Sequence, residues 1–493
     1  MGVSRTQRIG VYLSEQRRQA EGARNREPDD WSSIRHKCTS LARLYLERLP
    51  TPKKAMSLRQ RLEQYFEFAP LSANWRTEIL AGCTTFMTMA YIVFVNPAIL
   101  HETGMPLAAV TAATCLSAAI GSFLMGGFAR YPIALAPGMG LNAYFTYTVV
   151  KGMGIPWPAA LGAVFLSGVA FFVLTLVGVR QLIISAIPHE LHAAVAAGVG
   201  LFIAFIGFRN SGIVVTNSAT VVTLGNLGDK STALAVFGLL LISALLAWKV
   251  RAAMLIGILA TAAVGLLIGV AKWSPQFCSL RDLSATAFKL DIAATLRIGF
   301  LEIVFVFLFI DMFDNIGTLL AVGKKAGLFD KAHRIPRVNR ILLSDASATV
   351  VGSLAGTSTV VSYIESAAGV AAGGRTGVTA IVTGALFVGA LFLAPVVGAI
   401  PAAATAPALI VVGSLMMPVV AEVQWSDPEV AVPAFLTMMA IPLTFSIANG
   451  LAFGFTAYTF MKVLRGKYRE VSGVVYVLTA IFIIRFVYLS RGA

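Results

Sequence analysis

Charge is scarce in this sequence. Only 13% of its 493 residues are Asp, Glu, Lys or Arg, where a soluble globular protein carries about a quarter. Acids are scarcer than bases, 24 against 39, leaving a formal net charge of +15. No folded basic domain gathers these cations, so nucleic acid is not the expected partner; loops on one side of a membrane account for them. Cysteine is scarce as well. Cys38, Cys83, Cys115 and Cys278 lie scattered without ligand spacing, so neither a disulfide framework nor a zinc site follows. The two histidines of PHELH (Pro188 to His192) do not form an HExxH pair, and no metal is expected there. A phosphate loop of the GxxxxGK(S/T) kind is missing, which argues against an ATP-driven pump. A nucleophile–base set is missing too, so the chain is not expected to be an enzyme or to carry a cofactor.

What is plentiful is apolar length. Hydrophobic residues make up 57% of the chain, mean hydropathy is +0.78, and runs of about 20 apolar residues recur from Thr77 onward. The expected class is an all-α polytopic membrane protein; a transmembrane barrel would show short alternating segments instead. Spans are expected near 78–100, 107–127, 133–150, 156–178, 190–208, 232–249, 252–271, 299–323, 340–355, 358–372, 377–398, 403–421, 430–447 and 449–464. Residues 1–55 are polar and Arg-rich, without the apolar core of a signal peptide. They read as a disordered extension, with Met56 a candidate start. Residues 56–271 and 299–464 form two halves. Residues 465–493 hold one more apolar segment, with Arg485 in its middle, suited to spanning or to lying at the interface. Lys and Arg collect in the even-numbered loops, which places the N-terminus in the cytoplasm of a cell whose cytoplasmic (plasma or inner) membrane holds the protein.

Two spans are broken in the same way. Span 3 reads YPIALAPGMGLNAYFTYTVV and is interrupted by Pro132, Pro137, Gly138 and Gly140; span 10 reads LAGTSTVVSYIESAAGVAAGG and opens with β-branched and hydroxyl residues. Each is expected to start extended and then turn helical. Span 10 stands seven places after span 3, so the fourteen spans are expected to form a seven-plus-seven inverted repeat with its binding site at the breaks. Ordinary glycine packing explains the glycines but not the matched spacing.

The acids sit where charge is most costly. Asp311 and Asp314 lie three residues apart inside LEIVFVFLFIDMFDNIGTLLAVG, Leu301 to Gly323, on one helix face. An intramembrane carboxylate is kept only if it meets a cavity, a partner or a permeating ligand. Asp345 on span 9 and Glu365 in the broken span 10 join them, and Ser366 and Asn142 add hydroxyl and amide groups at the breaks. Phe313, Tyr144 and Phe145 are candidates for flat apolar walls. Several intramembrane carboxylates without an ATPase point to protons as the coupling ion, with Asp311, Asp314, Asp345 and Glu365 as the candidate groups. A flat heterocycle bearing N–H donors, such as a purine, suits this set. A metal or sodium ion suits carboxylates too, and the residue types alone leave that choice open.

At these residues the chain resembles the xanthine/uracil permease superfamily, and within it the AzgA-like adenine, guanine and hypoxanthine permeases. The matching stretches are NWRTEILAGCTTFMTMAYIVFVNPAIL, ALAPGMGLNAYF, FLFIDMFDNIGTLLAVG, LLSDASATVVGSLAGTSTVVSYIESAAGVAAGGRTG and SIANGLAFGF. The resemblance implies a core and a gate domain, with spans 3 and 10 each a strand plus half-helix. It implies that Asp311 and Glu365 hold the base, with Ser366 beside them, and that Asp345 matches a span-9 acid. It also implies proton symport of purine nucleobases, elevator-like movement of core against gate, and often a homodimer. The alternatives are an anion carrier of related architecture, or a channel or receptor without coupled transport.

Overall fold

A computed structural model describes residues 18, 56–178, 187–271, 281–297, 300–326, 335–393 and 397–491. Apart from Arg18, the extension before Met56 lies outside them, as does the basic loop at 327–334. The chain divides into two compact units, Met1–Glu63 and Gln64–Ala493. In the first, Arg59 and Glu63 pair one helical turn apart at 2.9 Å. The second holds the spans.

Six helices among the described residues are long and apolar enough to cross a bilayer: Trp75–His101, Leu107–Ala129, Trp157–Val177, His189–Asn210, Lys230–Ala247 and Ala402–Glu422. Shorter apolar helices cover Ala253–Leu267, Gly377–Ala390 and Pro428–Leu443. Phe300–Ala326, Val338–Ala355 and Ile447–Leu464 complete the spans other than 3 and 10. Caps set several starts: Asn74 accepts from the Thr77 amide, Asp229 from Ser231 and Thr232, and Ser446 from Asn449. Span 1 is interrupted, its first helix closing at Met89 and its second opening at Ile92.

Spans 3 and 10 break as expected. Four short strands occur among the described residues: β1 (Leu135–Pro137), β2 (Val214–Asn217), β3 (Val221–Leu224) and β4 (Val360–Ser362). β1 pairs antiparallel with β4, Leu135 opposite Ser362 and Pro137 opposite Val360. β2 and β3 form a surface hairpin between spans 5 and 6, a stretch for which the sequence gives no strand signal. After β1 the chain turns into Met139–Ala143 and a π-helical stretch, Tyr144–Gly152; after β4 it turns into Ser366–Ala371.

The spans gather in two groups. Spans 1–4 pack chiefly with spans 8–11, and spans 5–7 with spans 12–14. This is a seven-plus-seven inverted repeat, because each group takes corresponding spans from both halves. Spans 5 and 12, counterparts in the two halves, cross so closely that a Cβ on Gly413 would come within 2.4 Å of the Gly200 carbonyl oxygen. The last apolar segment is a 19-residue helix, Gly473–Arg491, about 28 Å long at 1.5 Å per residue and so long enough to span. Its Phe482 meets Phe455 of span 14 and Phe305 of span 8, at 5.9 and 5.7 Å between ring centroids.

One buried acid is structural. Glu78, on span 1, accepts hydrogen bonds from the backbone amides of Arg375 (2.9 Å) and Thr376 (3.1 Å) and from the Thr379 hydroxyl (2.6 Å). It therefore caps span 11 from a neighbouring helix. Glu78→Ala is expected to cost about 3 kcal/mol by orphaning buried donors. Thermal melting of the solubilised protein measures this, and an unchanged midpoint would remove the capping role.

Candidate functional site

The β1–β4 ribbon forms the floor of the site, and extended backbone inside a membrane protein needs every polar group satisfied. Beyond the ladder, Gly138 N donates to Thr359 O (2.9 Å) and Tyr363 N to Ala134 O (3.0 Å). The outer edges are closed by side chains. Ser122 of span 2 accepts from Leu135 N and donates to Leu135 O, at 3.0 and 3.2 Å. Thr349 of span 9 donates to Val360 O (2.9 Å), and Tyr363 donates its hydroxyl to Pro137 O. Ser366 is fully buried, and its oxygen accepts from Ala134 N at 3.0 Å, which leaves its own proton available to a further acceptor.

Asn142 stands at the start of the span-3 half-helix with both ends of its amide engaged. Its nitrogen donates to Asn96 Oδ1, and its oxygen accepts from the Ser358 hydroxyl. Asn96 in turn donates to Thr114 (2.7 Å) and Thr357 (3.1 Å). All five side chains are buried. The network ties span 1 and span 3 to the segment that leads into β4.

The span-8 acids have different surroundings. Asp311 is fully buried, and its Oδ1 accepts from the Asn315 amide at 3.5 Å. The same amide donates to Asp345 Oδ2, while Ser362 of β4 donates to Asp345 Oδ1 at 3.4 Å. Asn315 thus bridges span 8 to span 9 and, through Asp345, to the ribbon. Asp314 is only partly buried, and the charges of Asp345 and Glu365 both act on it.

Glu365 begins the span-10 half-helix yet makes no capping bond to it. Its Oε1 accepts from the Tyr91 hydroxyl at 2.8 Å, and its Oε2 is buried without a hydrogen-bond partner among the described residues. Of the three aromatic candidates, Tyr144 and Phe145 both pack on Phe307 of span 8, with centroids 5.0 and 6.5 Å apart. Phe313 meets the His192 ring of span 5 edge-on at 4.9 Å. His192 Nε2 is buried and has no hydrogen-bond partner among the described residues.

The sequence reading did not single out Tyr91, Asn96 or Asn315, and it considered His192 only as a metal ligand. Asn96 and Asn315 were visible as amides inside apolar runs, Asn315 one turn beyond Asp311. Tyr91 carried no signal, because an aromatic in an apolar span reads as packing. Among the described residues no cluster of His, Cys, Asp or Glu is arranged to hold a metal ion.

At the far end of span 3 a second polar group joins the two sets of spans. Glu102, which follows span 1, pairs with Lys151 and accepts from Tyr147 at 2.7 Å. Asn210 of span 5 donates to both Tyr147 (2.8 Å) and Glu102 (3.2 Å). Beside them Thr148 donates to the Phe445 carbonyl at 2.6 Å. These contacts bind spans 1 and 3 to the group that contains spans 5, 13 and 14.

A family model described as a permease family matches residues 76–485. The guanine/hypoxanthine permease PbuG of Bacillus subtilis is 45% identical over 441 residues, covering 87% of this chain and 100% of that protein. The adenine permease AdeP of Escherichia coli is 41% identical over 429 residues, covering 87% and 96%. Among solved structures, the transmembrane domain of a cyanobacterium bicarbonate transporter, BicA, superposes with a TM-score of 0.58 at 15% identity, over 76% of this chain and 97% of that one. At that identity the likeness is one of fold.

The Asn315 bridge has a testable energetic signature. Asn315→Leu removes the donor shared by Asp311 and Asp345 and is expected to cost about 2 kcal/mol. In an Asp345→Asn background the cost should shrink, because one of the two carboxylates is gone. Additive losses in a thermal double-mutant cycle would show that the amide does not act through Asp345.

Proposed function

The chain belongs to the permease family, and on that premise we propose that it is a proton-coupled symporter importing purine nucleobases (adenine, guanine or hypoxanthine) across the cytoplasmic membrane. The observation that carries the reading is the Glu365 carboxylate, with one oxygen held by a neutral hydroxyl and the other buried without a hydrogen-bond partner among the described residues, beside the partly buried Asp314. A purine offers N–H donors to such acceptors and a flat face to aromatic rings. The relatives named as adenine and guanine/hypoxanthine permeases support this substrate class.

In this reading Glu365 and Asp311 take the N–H groups of the base, Asp311 by exchanging part of its hold on Asn315. Ser366 donates its hydroxyl proton. Asn142 keeps the break rigid, and a base that reaches its amide must displace Asn96 or Ser358. Protons enter through Asp314, Asp345, Glu365 and Asp311, carboxyl groups able to take up and release them. Tyr144, Phe145 and Phe313 limit the space for the ring. An anion carrier on the same fold would instead present neutral or positive groups at the breaks, and a carboxylate there disfavours it.

Transport then requires the two groups of spans to shift against each other. By the distribution of Lys and Arg in the loops, the clasp of Glu102, Tyr147, Lys151 and Asn210 faces the outside, so it must open to admit substrate.

Uptake of radiolabelled adenine, hypoxanthine and guanine into proteoliposomes with an imposed proton gradient tests the proposal. Accumulation should collapse with a protonophore, and Asp311→Asn or Glu365→Gln should lower uptake at least a hundredfold with normal membrane insertion, a loss of about 2.7 kcal/mol of binding and coupling. Wild-type uptake by Asp311→Asn would remove Asp311 from the site; accumulation indifferent to the protonophore would remove proton coupling. Asn210→Leu should loosen the clasp. In a cysteine-free background carrying Val199→Cys, at the seam beside Gly140, it should speed labelling by an impermeant maleimide severalfold. Unchanged labelling would show that the clasp does not hold that end shut.

A further inference from the structure

We infer that Tyr91 is the positioning residue for the binding carboxylate: its hydroxyl fixes the plane of Glu365 so that Oε2 alone is presented to the substrate. The inference rests on the reading of Glu365 as a substrate ligand and goes beyond it by assigning a role on span 1, outside the two broken spans.

Tyr91 stands at the junction between the two helical stretches of span 1, where the backbone keeps right-handed helical dihedrals. The helix Trp75–Met89 closes, Ala90 and Tyr91 form the turn, and Ile92 begins the next helix. Tyr91 is 1% exposed, so its ring is clamped by packing and its hydroxyl is not competing with bulk water. Among the described residues that hydroxyl is the one side-chain group of another residue that hydrogen-bonds the Glu365 carboxylate, at 2.8 Å to Oε1. The turn before it reaches the same residue through the Thr88 hydroxyl, 3.5 Å from the Glu365 carbonyl oxygen. The Glu365 side chain makes no capping bond to its own helix, and among the described residues, besides Tyr91, only its own backbone amide hydrogen-bonds the carboxylate.

A glutamate side chain left to itself samples several rotamers, and ordering it on binding costs affinity. With Oε1 tied to a rigid donor, the carboxylate is ordered before the substrate arrives and Oε2 points along one direction. A phenol can do this without supplying a countercharge. An Arg or Lys in its place would orient the carboxylate too, but would weaken its pull on the N–H donors of a base and on a proton. Tyr91 does not touch the substrate; it acts through Glu365.

The experiment measures binding of radiolabelled adenine and hypoxanthine to the solubilised full-length protein, and uptake in proteoliposomes, for wild type, Tyr91→Phe, Glu365→Gln and the double variant. Tyr91→Phe keeps the ring and should weaken binding and raise KM about tenfold, with the maximal uptake rate within twofold of wild type. In the Glu365→Gln background the same substitution should change neither the thermal midpoint nor the residual binding further, because the carboxylate it positions is gone. Unchanged binding by Tyr91→Phe, with binding lost in Glu365→Gln, overturns the role of Tyr91 and leaves the site reading intact. Wild-type binding by Glu365→Gln overturns the site reading, and the positioning role with it. If Tyr91→Phe loses stability equally with and without Glu365, the hydroxyl is structural and the inference fails.

Discussion

Three residues of extended backbone pairing with three others, deep in a protein built for hydrocarbon, is the constraint on which the rest of this structure depends. Lipid offers no hydrogen bonds, so a broken span is tolerated only where the protein satisfies what the break exposes. The β1–β4 ladder satisfies one edge of each strand. The other edges need hydroxyls from outside the ribbon, and Ser122 and Thr349 supply them from spans 2 and 9. Those spans must then sit against the ribbon, which fixes much of the packing of the first group. Pro137 ends β1 opposite Val360, the kind of strand-end position where its missing N–H costs least.

Holding the ribbon also decides which polar side chains are free. Asn142 and Asn96 are used up in a network that joins the two broken spans to span 1. Asn315 is divided between two acids. Against that background the Glu365 carboxylate is held at one oxygen, while the other is buried with no hydrogen-bond partner among the described residues. An unmet buried acceptor is expensive in any protein, so a donor brought to this oxygen recovers that cost.

Much of the architecture was legible in the sequence because its signals are local. Pro137, Gly138 and the TSTVVSY run announce breaks within their own spans, and Asp311 and Glu365 announce themselves by the cost of charge in apolar runs. The matched positions of the breaks made the repeat visible. The parts that were not legible depend on residues far apart in the chain. Tyr91 meets Glu365 across 274 positions and Glu78 meets Thr376 across 298; nothing near either residue names its partner. The β2–β3 hairpin was missed for another reason. Its strands are short and exposed, so no buried face imprinted a pattern. Spacing puts Asp311 and Asp314 on one face, and the resemblance singles out Asp311, but neither says that one is sealed around Asn315 while the other stays partly open.

The backbone of this protein is a repeat, but its chemistry is not. The four acids of the proposed site, Asp311, Asp314, Asp345 and Glu365, all lie in the second half. The first half brings neutral groups to meet that half: Tyr91 to Glu365, Asn142 to Ser358, Asn96 to Thr357, and the Pro137 carbonyl to Tyr363. Neutral donors orient a carboxylate without cancelling its charge, whereas a buried cation would lock it into a pair that is costly to open. The division therefore serves two needs at once. Hydrogen bonds between the halves hold the breaks together, and the negative charge of the second half stays available to a ligand that brings donors or a proton. A symmetric site, with acids at both breaks, would place like charges across the ribbon and work against the pairing on which the fold rests. In the proposed function, asymmetry of charge on a symmetric frame is thus what would let one ribbon act as both scaffold and binding floor.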